Sequence, residues 1–438
     1  MSESRLGLTG AVSIALGGMI GGGIFAVLGV VAGLTGPAAW LAFVAAGVVA
    51  ACAGYAYVSL DRQTDDGGGA VTFLQHYVGN STLAGLVGWA LLVGYVGSMA
   101  MYAYAFGSFS QSLLGVQSVA GLPLRPVVSV AAVVGFVALN LAGARASGTT
   151  EVALVGGKVA ILLALGIGGL AYAFTSSDAS VSLGLSGLSG ISPLVAASLS
   201  FVAFQGWQLL FYDEDVIEDP GRTVPRAIFL SIAGAVVIYV LVALVTTNLA
   251  AQAVEQHPET ALAFAAKPLL GQAGVLLVEV AALFSTGSAI NATLFSSARF
   301  AEGMLSDGLL PDEVGREGSD GPSRRLLLVL GGLTAAFTAA GSLDGITSFA
   351  SLAFIAVFGT VCALAVRERE RLLTGLVGGV GLLGTLAFFP LLCYHLVTDR
   401  PEVAWTVLVV AIVVVGAELL YFEREWLVDE ARTVESAL

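Results

Sequence analysis

A succession of long apolar runs dominates this sequence and decides most of what it can fold into. About twelve can be traced, near Leu8–Gly33, Ala38–Leu60, Leu83–Leu114, Val127–Ala144, Val152–Phe174, Pro193–Phe211, Ala227–Ala250, Leu269–Ala301, Leu326–Leu343, Ile346–Val366, Leu372–His395 and Val403–Phe422. Most approach the roughly 20 residues an α-helix needs to cross a bilayer. In hydrocarbon every peptide group must be satisfied within the protein, so only helices and closed barrels span it. The ten-residue alternation of a membrane barrel is missing from the pattern. The chain therefore reads as an all-α integral membrane protein of twelve transmembrane helices. Composition agrees: 57% of residues are hydrophobic and 11% charged, whereas soluble domains carry about 25% charged residues. The first run is too long for a signal-peptide core and lacks a small-residue cleavage site, so it reads as a permanent helix.

Orientation follows from the cations. With the N-terminus inside and twelve helices alternating, 14 of the 18 Lys and Arg residues fall in inside segments. Three (Arg125, Lys267 and Arg400) fall outside, and Lys158 lies within the fifth run. That asymmetry is a positive-inside signal, and adding or dropping one helix midway would destroy it. The expectation is a multi-pass protein of the cell membrane with both termini cytoplasmic. The net charge of −13 comes mainly from loop and C-terminal acids, among them Asp61, Asp65, Asp66, Asp312, Glu313, Glu317, Asp320, Asp429 and Glu430. An acidic surface suits a high-salt cytoplasm, as in halophiles; the alternative is a set of solvated loops.

Several function classes drop out. Cys52, Cys362 and Cys393 all sit in apolar runs without metal-ligand spacing, and His76, His257 and His395 are scattered. No cofactor, metal or nucleic-acid partner is expected. A membrane enzyme would need a nucleophile–base or metal constellation at one face, and none is evident.

Within the first run, Gly17 to Phe25 reads "GGMIGGGIF". Glycine in a helix interior costs about 0.5–1 kcal/mol relative to Ala. A broken helix at mid-membrane is tolerated only where protein or a polar cavity covers it. Its bare N–H groups would favour an anion and its bare carbonyls a cation, which suits a small zwitterion such as an amino acid. The competing reading is helix packing, because Gly17/Gly21, Gly18/Gly22 and Gly29/Gly33 are small-xxx-small pairs. A dinucleotide or phosphate loop fits much less well, since no strand precedes the glycines and no lysine follows them. The sixth run is interrupted in a similar way at Gln205 and Gly206, within "SFVAFQGWQLLFYDEDVIEDPGRTVPRAI" from Ser200 to Ile228. Corresponding breaks in two halves point to a transport site.

Three motifs resemble one family. "GGMIGGGIF" looks like the first-helix signature of the amino acid–polyamine–organocation transporters. "FVAFQGW" followed by "EDPGRTVPRAI" resembles their sixth helix and the loop after it. "SAINATLFSSARFAEGMLSDGLLP" resembles their eighth helix. The motifs occur in family order, and the resemblance covers nearly the whole chain. It implies a leucine-transporter-type fold: a 5+5 inverted repeat with discontinuous helices 1 and 6, plus two C-terminal helices. The expected organisation is a first repeat over 1–175, an inverted second repeat over 190–367, two helices over 371–423 and a short acidic tail over 424–438.

By resemblance, Gly21, Gly22 and Gly23 offer N–H groups to a substrate carboxylate. Ile20, with the backbone around Ala203 and Phe204 beside Gly206, offers carbonyls to the amine, and Phe201 and Phe204 close over the substrate. For the two phenylalanines, ordinary core or lipid packing is the alternative. Lys158 lies about 10 Å into the fifth helix at 1.5 Å per residue. Some proton-coupled relatives place a lysine there in lieu of a sodium ion, with helix 8 (here Ser288) nearby. Snorkelling toward the interface is the alternative. The sequence departs from the family at Asp219, which stands for the usual Asn, and at Gln208, where many relatives carry an acid. The tryptophans that some cationic-substrate exchangers place over the ligand stand here as Val202 and Thr293, which favours a neutral amino acid. Tyr95 and Tyr102 share a face, with a core or interfacial role favoured over the pathway. Glu279, Glu418 and Asp344 are further intramembrane or border acids.

The expected function is secondary active transport of small or apolar neutral amino acids by alternating access, coupled to protons through Lys158. The alternatives are a sodium-independent exchanger, a passive facilitator or channel, and a nutrient sensor.

Overall fold

A computed structural model describes residues 5–64, 68–143, 148–176, 181–187, 190–310 and 323–422. The acidic tail and the loop acids Asp65, Asp66, Asp312, Glu313, Glu317 and Asp320 lie outside the described residues, as does anything about the Glu418 side chain.

The apolar runs become helices. In chain order these are α1 (Leu8–Thr35), α2 (Ala39–Asp61), a short α3 (Ala70–Val78), α4 (Ser81–Leu114), α5 (Leu124–Leu141), α6 (Gly148–Thr175) and α7 (Ser192–Ser200). Then follow α8 (Pro220–Leu249), two short helices α9 (Ala251–Gln256) and α10 (Ala261–Phe264), α11 (Lys267–Ser306), α12 (Arg324–Ala340), α13 (Leu343–Arg367), α14 (Leu372–Asp399) and α15 (Pro401–Phe422). Among the described residues nine stretches are long and apolar enough to cross a membrane, and the first of these, Leu8–Asp61, contains both α1 and α2. A hairpin of two-residue strands, β1 (Ser118–Val119) and β2 (Leu122–Pro123), joins α4 to α5.

Position in the bundle follows side-chain size. Residues 17–29 of α1 are all buried, and α1 packs against α4, α6, α7, α8 and α11. Helices in lipid gain little from the hydrophobic effect and depend on close van der Waals contact, which small residues permit. By contrast α14 and α15 present Leu372, Leu383, Val397, Trp405 and Ile412 on exposed faces, as lipid-facing helices must.

The expected discontinuity of helix 1 is not found. Residues 8–35 form one continuous α-helix. The glycines serve close approach instead. A Cβ on Gly22 would lie 1.7 Å from the Tyr102 ring, one on Gly21 2.6 Å from Ala289 and one on Gly29 1.8 Å from the Pro258 carbonyl oxygen. Glycine lowers helix propensity by about 1 kcal/mol, but an unpaired peptide group in hydrocarbon costs several. The intact ladder is therefore the lower state wherever the helix surface is sealed by its neighbours.

The second break is real. After α7 the chain makes a 3-10 turn over Phe201–Phe204 and another over Trp207–Tyr212. Between them Gln205 is extended (φ −78°, ψ 152°) and Gly206 takes φ 129°, ψ −37°, a region that side chains with a Cβ avoid. Polar side chains repair the interrupted ladder. Gly206 N–H donates to Gln208 Oε1 at 2.7 Å, Gln208 Nε2 donates to Gln205 Oε1 at 3.2 Å, and Val202 N–H donates to Ser351 Oγ at 3.3 Å.

A Cβ at position 206 would also meet the Gly18 carbonyl carbon at 2.9 Å. Gly206→Ala is expected to destabilise the protein by about 1–3 kcal/mol. Gly33→Ala in α1, with nothing within 4 Å of its Cβ, should be neutral or stabilising. Melting curves of the purified variants in one detergent compare the two.

Candidate functional site

The middle of α1 and the broken segment meet backbone to backbone. A Cβ on Gly18 would lie 3.0 Å from Gly206 Cα, and one on Gly23 2.9 Å from Ala203 Cα. Ile20, Gly21, Gly22, Gly23, Ala203 and Gly206 are thus brought together at one buried locus. The phenylalanines diverge. Phe204 packs edge-on against Tyr239 at 5.2 Å, beside that locus, whereas Phe201 turns to Phe358 and Phe388 at 5.7 and 6.2 Å. Of the two readings for Phe201, this conformation takes core packing.

Because α1 is unbroken, the N–H groups of Gly21, Gly22 and Gly23 are engaged in its helical ladder in this conformation, not presented to a carboxylate. The carbonyls are the side of the backbone on offer. Lys158 Nζ, buried on α6, donates to the Gly17 carbonyl at 3.1 Å. The Tyr239 hydroxyl on α8 lies 2.7 Å from the Met19 carbonyl oxygen and 2.8 Å from that of Ala203. Ser285 Oγ on α11 donates to the Ile20 carbonyl at 3.3 Å. Side chains from three helices therefore bond carbonyls within one turn of α1. Ser288 is one step away: its hydroxyl donates to the Ser285 carbonyl at 2.9 Å, within its own helix.

Tyr102 on α4 fills the notch left by Gly22 and accepts a hydrogen bond from the Gln205 amide. Tyr95, on the same face, is buried among Phe300 and Phe354. Glu279 is buried and bonded to Ser112 at 2.5 Å, linking α11 to α4. Tyr239 and Ser285 were not singled out in the sequence. A tyrosine inside an apolar run is a usable signal, since a buried phenolic O–H needs a partner.

The two ends of this core differ. At the end where α1 begins, Leu6 pairs with the segment after the break: its N–H donates to the Val216 carbonyl at 2.8 Å, and Glu218 N–H donates to the Leu6 carbonyl at 2.9 Å. Asp213 and Arg299 form an ion pair of 2.7 Å beside it. At the end where α1 finishes, a cavity of about 970 Å³ is lined by α1 from Gly29 onward together with Tyr104, Thr247, Glu255, Glu259, Asp344 and His395. Asp344 bonds Arg400 at 2.7 Å there, and His395 bonds Asp399 at 2.8 Å. Among the described residues, the Leu6 pairing and the Asp213–Arg299 ion pair close over the first end, and a vestibule bordered by acidic and histidine side chains lies at the other.

The comparisons agree with this architecture. A family model described as amino acid permease matches residues 6–417. The chain is similar to the inner membrane transport protein YbaT of Escherichia coli (strain K12), 33% identical over 372 residues and covering 83% of this chain and 84% of that protein. It is also similar to the serine/threonine exchanger SteT of Bacillus subtilis (strain 168), 26% identical over 321 residues and covering 70% of each. Among solved structures, a manganese transporter of Eremococcus coleocola shares the fold with a TM-score of 0.58 at 13% identity, covering 94% of this chain and 92% of that one.

One group near the sealed end makes stability depend on pH. Burial, with a smaller contribution from the Asp61 carboxylate, pushes the Glu214 carboxyl from 4.5 up to about 7. The folded protein then holds a proton that the unfolded chain has released. The stability linked to Glu214 is full below about 4.5 and is lost as pH rises through about 7. Melting temperatures at roughly pH 5 and pH 8 should therefore differ less for Glu214→Gln than for the wild type. Equal differences in the two proteins would show that Glu214 is not responsible.

Proposed function

The chain belongs to the amino acid permease family, and from that premise we propose that it is a proton-coupled secondary transporter of small or apolar neutral amino acids, working by alternating access across the cell membrane. The arginine-rich end is cytoplasmic in this reading, so the polar vestibule opens outward and the Leu6 clamp seals the inner side. The halves 1–175 and 190–367 act as inverted repeats around the α1–Gly206 contact.

The observation that carries the coupling is the Lys158–Gly17 hydrogen bond between α6 and α1. An ammonium buried at this depth costs about 2.5–3.5 kcal/mol on insertion scales. It is held because a backbone carbonyl receives it. A protonated lysine grips α1 through a charge-assisted bond, which is roughly twice as strong as a neutral one. Loss of the proton weakens that grip and frees the turn at residues 17–23 to open. Opening releases the N–H groups of Gly21, Gly22 and Gly23 for a substrate carboxylate, while the carbonyls of Ile20 and Ala203 face its amine. Lys158 thus takes the place of a sodium ion between helices. On α11, Ser288 is the serine proposed to act with Lys158, and Ser285, one step along the same helix, bonds the Ile20 carbonyl of α1.

Substrate class rests on the walls. Val202 and Thr293 are small and buried, so neither of these two positions offers an aromatic ring to a long cationic side chain. The name of the Bacillus exchanger, with its serine and threonine, supports a small neutral substrate.

In proteoliposomes with an acidic exterior, the wild type should accumulate labelled L-alanine or L-serine above the external concentration. Lys158→Ala should lose that pH-driven accumulation by about tenfold or more, the worth of one charge-assisted hydrogen bond. A Lys158→Ala protein that still concentrates substrate along the proton gradient would overturn the coupling.

A further inference from the structure

Tyr239 stands where α1 and the broken segment present carbonyl oxygens to the same atom. Its hydroxyl lies 2.7 Å from the Met19 oxygen and 2.8 Å from the Ala203 oxygen. A phenol has one proton, so it donates to one of these oxygens at a time. The other is then left close to an oxygen without a hydrogen between them. An ammonium has three N–H donors and could satisfy both carbonyls at once. The Tyr239 hydroxyl therefore holds one of the two carbonyls assigned to the amine, that of Ala203, together with the Met19 carbonyl next to Ile20, and does less completely what a substrate amine would do.

The surrounding contacts explain why the hydroxyl sits there. Its ring is held edge-on between Phe43 at 5.4 Å and Phe204 at 5.2 Å. Gly18 and Gly206 touch through their backbones, which leaves no space for a zwitterion between them. A packing that excludes the substrate by contact is one the protein reaches with its site unfilled. The Met19 carbonyl already accepts within the α1 ladder, but the Ala203 carbonyl lies at the break, where the hydroxyl supplies its donor, and an unpaired polar group at that depth is costly.

We infer that Tyr239 is an intramolecular stand-in for the substrate amine, a positioning residue whose hydroxyl lets the unloaded protein close and so permits net transport as well as exchange. This rests on the amino acid transport reading above. An alternating-access protein that cannot close unloaded can only swap one substrate for another. A substrate amine must then displace the hydroxyl to bind, so the same bridge tunes affinity.

The test is Tyr239→Phe, which keeps the ring contacts and removes one oxygen. In proteoliposomes, labelled L-alanine uptake is measured into vesicles loaded with unlabelled L-alanine (exchange) and into vesicles without it (net uptake). The ratio of exchange to net uptake should rise by about five- to tenfold, as expected for one lost hydrogen bond, and the half-saturating concentration should fall. A proportional loss of both modes, leaving the ratio unchanged, would overturn the inference. Hydrogen–deuterium exchange provides a readout that needs no substrate. The amides of residues 17–24 in α1 should exchange faster in Tyr239→Phe than in the wild type, and unchanged protection would equally overturn it. If the wild type exchanges none of the twenty amino acids, the transport reading falls, while the protection measurement still decides whether the bridge exists.

Discussion

Every peptide group in a membrane interior must find a partner inside the protein, and the rest of this structure follows from how that demand is met. Most of the chain meets it with uninterrupted helices. At Gly206 the ladder is broken, and Gln205, Gln208 and Ser351 supply replacements within a few residues. In the middle of α1 the ladder is whole, yet Lys158, Tyr239 and Ser285 already donate to its carbonyls. Side chains that could satisfy an opened turn are therefore already in place around the closed one. A helix surrounded in this way can change conformation without passing through a state of bare backbone.

The glycines of α1 therefore carry two meanings at once. Their lack of a side chain lets Tyr102, Ala289 and Gly206 press against the helix. The same lack lowers the intrinsic helix propensity of this turn. Packing and lability are one property here, because a close neighbour that stabilises the helix must also move when the helix changes.

Much of the fold could be read from the sequence because its causes are local. Runs of about 20 apolar residues became helices at nearly the expected bounds, and the Gln205–Gly206 interruption marked a true break, since φ 129° needs glycine. The continuity of α1 could not be read, because glycine spacing fits both a break and a tight interface, and only the neighbours decide between them. Lys158 stood out as a cation in an apolar run. Its partner, the Gly17 carbonyl, carries no side-chain signature and so left no trace in the sequence. Tyr239 looked like one more aromatic residue in a hydrophobic helix. Ser285 rather than Ser288 reaches α1 because three residues along a helix change the direction by about a sixth of a turn. The divergence of Phe201 from Phe204 depends on the 3-10 turn between them, which no residue pattern announced.

The pairing of Leu6 with residues 216 and 218 ties the beginning of the chain to its midpoint. During synthesis the first helix enters the bilayer long before the clamp residues, α8 or α11 exist. Its glycine-rich middle must then wait among lipid tails without Lys158, Tyr239 or Ser285 to cover an exposed carbonyl. An unbroken rod satisfies its own peptide groups without those partners, so the contacts that could support an opened turn belong to the assembled bundle and not to the helix by itself.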